Sequence, residues 1–276
     1  RDAIATGLAE SAAAGVTAVG DIATSVAAYD GLPTGPRLRV FREGLGLLPA
    51  TIETATRTVA RDLDTLARAG IDAGISPHAP YSVAAPLGRR LLAMARARSL
   101  PVAMHLAESD AEPELLAGGT GPFRDLLESL GAWDAAHPPR LLAVAEWISW
   151  LAGCNRGTVV HATHIGRDPD ALARLVRHRD RLCVAVCPRT TRAISGVLPP
   201  LVLLRDAGVR VCLGTDGRGS NPDLSILAEC RTLVDAGLAS PADALTMATH
   251  HGAWALGLDH RCGTLAPGRA ADLLVL

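Results

Sequence analysis

Leu213-Gly214-Thr215-Asp216-Gly217-Arg218-Gly219-Ser220-Asn221 follows an apolar run at 209–213, so a short buried strand ends on a carboxylate and breaks into glycine. A carboxylate is a poor core residue, and α/β folds place their chemistry at the carboxyl ends of strands. Two further stretches are built the same way. His105-Leu106-Ala107-Glu108 follows the apolar run 100–104, and His161 directly follows Thr158-Val159-Val160. Three strands each deliver a His or Asp at the same end.

Strand-like runs occur near 16–22, 37–42, 71–75, 100–104, 158–160, 182–186 and 209–213. Between most of them, 3–14, 51–69, 85–98, 169–177, 199–207 and 224–236 carry apolar residues at helical spacing, and Gly15, Gly70, Gly208 and Gly237 read as helix stops. Alternating strands and helices predict a parallel sheet. Seven such units fit an α/β barrel lacking one strand better than a doubly wound sheet, because no Gly-x-Gly-x-x-Gly turn follows any strand. One region breaks the alternation: 117–157 reads as an elaborated connection with short helices, in which Trp133, Trp147 and Trp150 are packing residues.

Composition narrows the function. With 276 residues, 49% hydrophobic, the chain is long enough for one well-buried domain. A net charge of −1 with no basic run argues against nucleic acid as partner. All 27 basic residues are arginine, which excludes a Schiff-base lysine. Six cysteines without a Cys-x-x-Cys pair read as reduced core thiols in a cytoplasmic protein, and no apolar stretch is long enough to span a membrane.

The motifs, taken together, resemble a known family. His105-Leu106-Ala107-Glu108-Ser109, Val160-His161-Ala162-Thr163-His164, Cys187-Pro188-Arg189-Thr190 and Leu213-Gly214-Thr215-Asp216-Gly217 stand in the order seen in the amidohydrolase superfamily. The branch they resemble holds cytosine, guanine and adenosylhomocysteine deaminases, aminodeoxyfutalosine deaminase and triazine chlorohydrolases. Ser76-Pro77-His78-Ala79-Pro80-Tyr81-Ser82, 15–21 and 263–273 add to the likeness, which covers nearly the whole chain.

The resemblance implies a (β/α)8 TIM barrel of the metal-dependent hydrolase type over 1–262. Residues 263–276 would be the strand that starts the return to a small β-sandwich domain. It also implies one divalent ion, zinc first and iron or manganese next, held by His105 and Asp216, which activates water for attack on a ring carbon. Asp216 would accept the proton of that water, Glu108 would shuttle a proton to the ring nitrogen beside the attacked carbon, and His161 would hydrogen-bond the attacking oxygen. His78 and Arg189 are the candidates for substrate binding. The expected activity is hydrolytic deamination of a purine, pyrimidine or nucleoside-like small molecule. An amidase or chlorohydrolase is the near alternative, a catalytically silent barrel the distant one, and a homodimer is allowed.

The family's His-x-His pair at the end of a first strand does not occur in this sequence. The expectation is therefore a chain from which the first barrel strand and the flanking β-sandwich are missing, leaving a weak two-ligand metal site. The remaining ionisable groups have plainer readings. His137, His178, His250, His251 and His260 are expected to be structural, and Glu10, Glu43 and Glu229 to be capping or salt-linked, with Glu43 near the mouth. His161 is preferred over His164 because it directly follows the valines.

Overall fold

The structure is a computed structural model that describes residues 2–29, 31, 32 and 34–275. Seven strands form one sheet in sequence order, each parallel to its neighbours: β1 (Ala18–Ala23), β2 (Arg37–Gly44), β3 (Asp72–Pro77), β4 (Val102–Leu106), β5 (Gly157–His161), β6 (Leu182–Val186) and β7 (Arg210–Leu213). The helices are α1 (Asp2–Ala13), α2 (Pro49–Arg68), α3 (Ala85–Ala97), α4 (Glu112–Gly118), α5 (Pro122–Ser129), α6 (Val144–Ala152), α7 (Pro169–Arg177), α8 (Pro188–Ser195), α9 (Leu201–Asp206), α10 (Ile226–Asp235), α11 (Pro241–Thr246) and α12 (Gly252–Ala255). The order β1 to β7 is that of a TIM-type α/β barrel short of one strand, and no pairing joins β7 to β1 among the described residues. β1 and β2 are linked by a loop where the other crossovers carry helices.

Period-two alternation sorts the two faces of the sheet. Val102, Met104 and Leu106 of β4 are fully buried beneath the helices, and the intervening Ala103 and His105 point to the other side. In the register, His105 lies opposite Val160 and Leu106 opposite His161, so β4 and β5 end together. Strict alternation would send His161 to the Leu106 side, and its left-handed backbone at φ +68° is what turns the ring back to stand beside His105.

The helices pack as their stripes predict. α2 buries Ile52, Val59, Leu63 and Leu66, and its Asp62 accepts a 2.7 Å hydrogen bond from Arg42 Nε on β2, a buried pair tying helix to sheet. Gly70 ends this helix at φ +68°, a conformation that costs other residues free energy. In the 117–157 connection, Trp147 is fully buried and lies against Gly88 of α3, where an added Cβ would stand 2.1 Å from the indole ring. Close approach of α3 and α6 therefore requires a glycine.

Residues 263–275 form turns and unpaired chain where a strand was expected, and Leu276 lies outside the described residues. A strand needs a partner edge, and no described segment offers one here. The segment is tied down by an ion pair between Asp272 and Arg37 and by hydrogen bonds from Ala270 N–H to Arg261 O and from Arg269 to Cys262 O. No described helix is long and apolar enough to cross a membrane.

Candidate active site

β4 and β5 bring the imidazoles of His105 and His161 into a stack, ring centroids 5.4 Å apart with 23° between planes. His78, one residue beyond β3, stands 5.2 Å from His105. Nδ1 of His105 lies 2.9 Å from the carbonyl of His78, and a carbonyl only accepts, so Nδ1 carries the proton and Nε2 presents a bare lone pair. His78 is set the same way. Its Nδ1 is 2.6 Å from Ser82 Oγ, whose own hydroxyl donates to Ala79 O, so Nδ1 is the donor and Nε2 is free.

Beside these rings is Glu43, the penultimate residue of β2. Ligand atoms of Glu43, His78 and His105 all lie within 4.8 Å of one another, close to the span of two ligand bonds of about 2.1 Å. Two neutral imidazoles with free Nε2 atoms and a carboxylate are a donor set that suits a divalent cation. Glu43 reads from the sequence as capping or salt-linked, with a place near the mouth. Its carboxylate sits at the strand exit with the histidines, because period two along β2 sends Arg42 to Asp62 on the helix side and turns Arg39, Phe41 and Glu43 to the face that carries His105.

Burial dominates the electrostatics. Desolvation, with His105 nearby, lowers His78 to about 4, and His105 and His161 are lowered by the same cause against the pull of Asp216. All three are neutral at pH 7. Glu108 is pushed up to about 7, first by burial and then by the Asp216 charge. Its Oε1 is 3.3 Å from Nε2 of His161. Glu112, almost fully buried beneath this turn, is likewise raised to about 7.

Asp216 follows β7 in a left-handed conformation at φ +57°, and Ser220 Oγ donates to its Oδ2 at 2.7 Å. Its charge acts on His105, Glu108 and His161 together, so the four groups picked from three separate motifs share one end of the sheet. Ala107, His161 and Ala162 also have positive φ, an unusual concentration of strained non-glycine backbone around one site.

Arg189 is held differently. Its guanidinium makes a two-pronged contact with Asp223 at 2.7 and 3.0 Å, and its backbone N–H donates to the buried Glu229, which also accepts from Asn221. Glu229 is thus a cap, as expected, and Arg189 clamps the 216–224 loop. His164 lies outside the stack, 3.4 Å from Asp110. His251 is structural, its Nδ1 donating to Val211 O at 2.8 Å.

Comparison with known proteins extends this picture. A 5-methylthioadenosine/S-adenosylhomocysteine deaminase of Saccharophagus degradans is 31% identical over 216 residues, 75% of this chain and 43% of that protein, so the chain spans less than half of its relative. The solved aminofutalosine deaminase of Helicobacter pylori superposes with a TM-score of 0.84 at 24% identity, covering 98% of this chain and 68% of the other. The atrazine chlorohydrolase of Arthrobacter aurescens, solved with zinc, superposes at 0.68 with 20% identity, covering 97% and 61%. The amidohydrolase family profile matches residues 1–276 from end to end, and this chain belongs to that family.

Proposed function

We propose that this chain carries the catalytic end of a metal-dependent aminohydrolase acting on a 5′-substituted adenosine. The observation that carries the reading is the Glu108–His161 pair: a carboxylic acid held near pKa 7, 3.3 Å from a neutral imidazole, at the exits of adjoining strands. Two carboxyls in contrasting settings, Glu108 half-buried and Asp216 exposed, divide acid and base roles between them. The substrate class rests on the relative named for methylthioadenosine and S-adenosylhomocysteine.

In this reading His105 and Asp216 hold the cation, with His78 and Glu43 beside it. When bound, the ion lowers the pKa of water to about 7 and so supplies a nucleophile at neutral pH. Zinc suits the donors best, iron and manganese being the alternatives.

The chain's own residues do the rest. Asp216 takes one proton from the attacking water. Glu108, about half protonated at neutral pH, gives its proton to the ring nitrogen next to the amino-bearing carbon. As the C–N bond breaks, the proton held on Asp216 passes to the departing amino group, which leaves as ammonia, and the proton of the added hydroxyl returns to Glu108. His161, neutral because burial disfavours its charged form, hydrogen-bonds the oxygen that has added. His78 faces the substrate with its free Nε2, and Arg189 shapes the mouth by holding Asp223 and its loop. Six free, buried cysteines suit a reducing cytoplasm, and a homodimer is compatible with this arrangement.

Ammonia release from methylthioadenosine, S-adenosylhomocysteine, guanine, cytosine and a chlorotriazine separates the readings. Turnover confined to the adenosines supports the proposal. Chloride release without deamination would move the assignment to a chlorohydrolase.

A further inference from the structure

The turn that presents Glu108 is strained, and one buried acid holds it. Ala107 takes a left-handed backbone at φ +52°, a conformation that alanine avoids. Three hydrogen bonds fix the turn. Ala162 N–H donates to Leu106 O at 3.1 Å, His164 N–H to Ala107 O at 2.8 Å, and Ala107 N–H to the Oε1 of Glu112 at 3.0 Å. The first two tie the segment to the end of β5. The third is made by a side chain of the same segment, the first residue of α4, which is 1% exposed.

Placing a carboxyl there has a cost that packing alone does not explain. Burial makes ionisation of Glu112 costly, the backbone N–H groups of Ala107 and Glu108 only partly offset it, and the Glu108 carboxyl opposes it further. The second oxygen of Glu112 has no hydrogen-bond partner of its own. A leucine would fill the same space without that penalty. What a leucine cannot do is accept the Ala107 N–H. Without this acceptor a buried donor is orphaned, and Ala107 has no reason to stay left-handed, which swings Glu108 away from His161.

We infer that Glu112 is a positioning residue: by accepting the N–H of Ala107 it holds the left-handed turn that sets Glu108 against His161. It acts through backbone geometry and does not touch the substrate. The inference rests on the assignment of Glu108 as the proton donor, but the geometry it describes does not depend on which substrate is used.

The test compares Glu112→Gln, which keeps an acceptor oxygen, with Glu112→Ala, which removes it, in the full-length protein. Two readouts are taken. One is kcat and KM for deamination. The other is the side-chain carboxyl carbon signal of Glu108, followed by NMR against pH and assigned by its loss in Glu108→Gln. We expect Glu112→Ala to lower kcat at least tenfold with KM changed less than threefold, and to shift the Glu108 titration by half a pH unit or more. Glu112→Gln should keep kcat within about threefold of wild type. Adding Ala107→Gly to Glu112→Ala should not restore kcat, because glycine relieves the strain without supplying the acceptor. The inference is overturned if Glu112→Ala leaves both kcat and the Glu108 titration unchanged, or if Glu112→Gln loses as much as Glu112→Ala. Should the wild-type protein fail to deaminate any adenosine while the Glu108 signal still moves in Glu112→Ala, the substrate reading falls and the positioning role stands.

Discussion

Nε2 of His161 and Oε1 of Glu108 stand 3.3 Å apart at the joined ends of β5 and β4, the imidazole neutral and the carboxyl, raised to about 7, still about half protonated near pH 7. The direction of each shift sets the pH profile. Glu108 has its pKa raised, so the acid form persists to about 7 and is lost above it. His161 has its pKa lowered, so it stays neutral across the same range. The rate should therefore fall on the alkaline side with an apparent pKa near 7. A profile of kcat against pH that stays flat to pH 9 contradicts the acid role.

Glu112 adds a stability signature of its own. Its folded pKa is raised from 4.5 to about 7, so the associated stability is complete below 4.5 and is lost as pH rises through 7. Glu112→Gln, which has no charge to bury, should gain roughly 2 kcal/mol relative to wild type between pH 5 and pH 8. Urea unfolding at the two pH values measures the difference, and a gap independent of pH would show that Glu112 is not ionising in place.

Ser82 separates two roles for His78. If His78 Nε2 helps hold the cation, Ser82→Ala should weaken metal affinity by about 10- to 100-fold, since the hydroxyl fixes the ring's orientation. If His78 meets only the substrate, KM rises and metal content by elemental analysis is unchanged.

Arg189 and Asp223 can be treated as one unit. Because the guanidinium is engaged by Asp223, Arg189→Ala and Asp223→Ala should raise KM by similar factors, and the double variant should be no worse than either alone. A much larger rise for Arg189→Ala alone would mean that the arginine reaches the substrate directly.

Packing between α3 and α6 is tight enough to be read in stability. Gly88→Ala drives a methyl into the Trp147 ring and should cost about 1–3 kcal/mol, while Trp147→Ala should cost about 3–5 kcal/mol. Denaturant midpoints for both variants check this.

The parts of the molecule visible in the sequence are those governed by local rules. Gly15, Gly70, Gly208 and Gly237 mark real chain reversals, each at positive φ, because only glycine tolerates that backbone freely. Strand exits at His105, His161 and Asp216 are legible because an apolar run that stops at an ionisable residue marks the point where the chain leaves the core. Glu43 is legible only in part: its place at a strand end near the mouth reads from the sequence, but its grouping with His78 and His105 depends on register with β3, which pattern alone does not fix. Glu112 is hidden for a similar reason: its partner is a backbone N–H exposed by the unusual turn at Ala107. In 263–275 the motif suggests a strand, but a strand forms only against a partner edge.

The measurement closest to the central claim is turnover and metal content of Glu108→Gln and Asp216→Asn, side by side in the full-length protein. The account predicts that Glu108→Gln loses at least about 100-fold in ammonia release from a 5′-substituted adenosine while retaining its metal, and that Asp216→Asn loses both. A Glu108→Gln protein that keeps most of its turnover would contradict it.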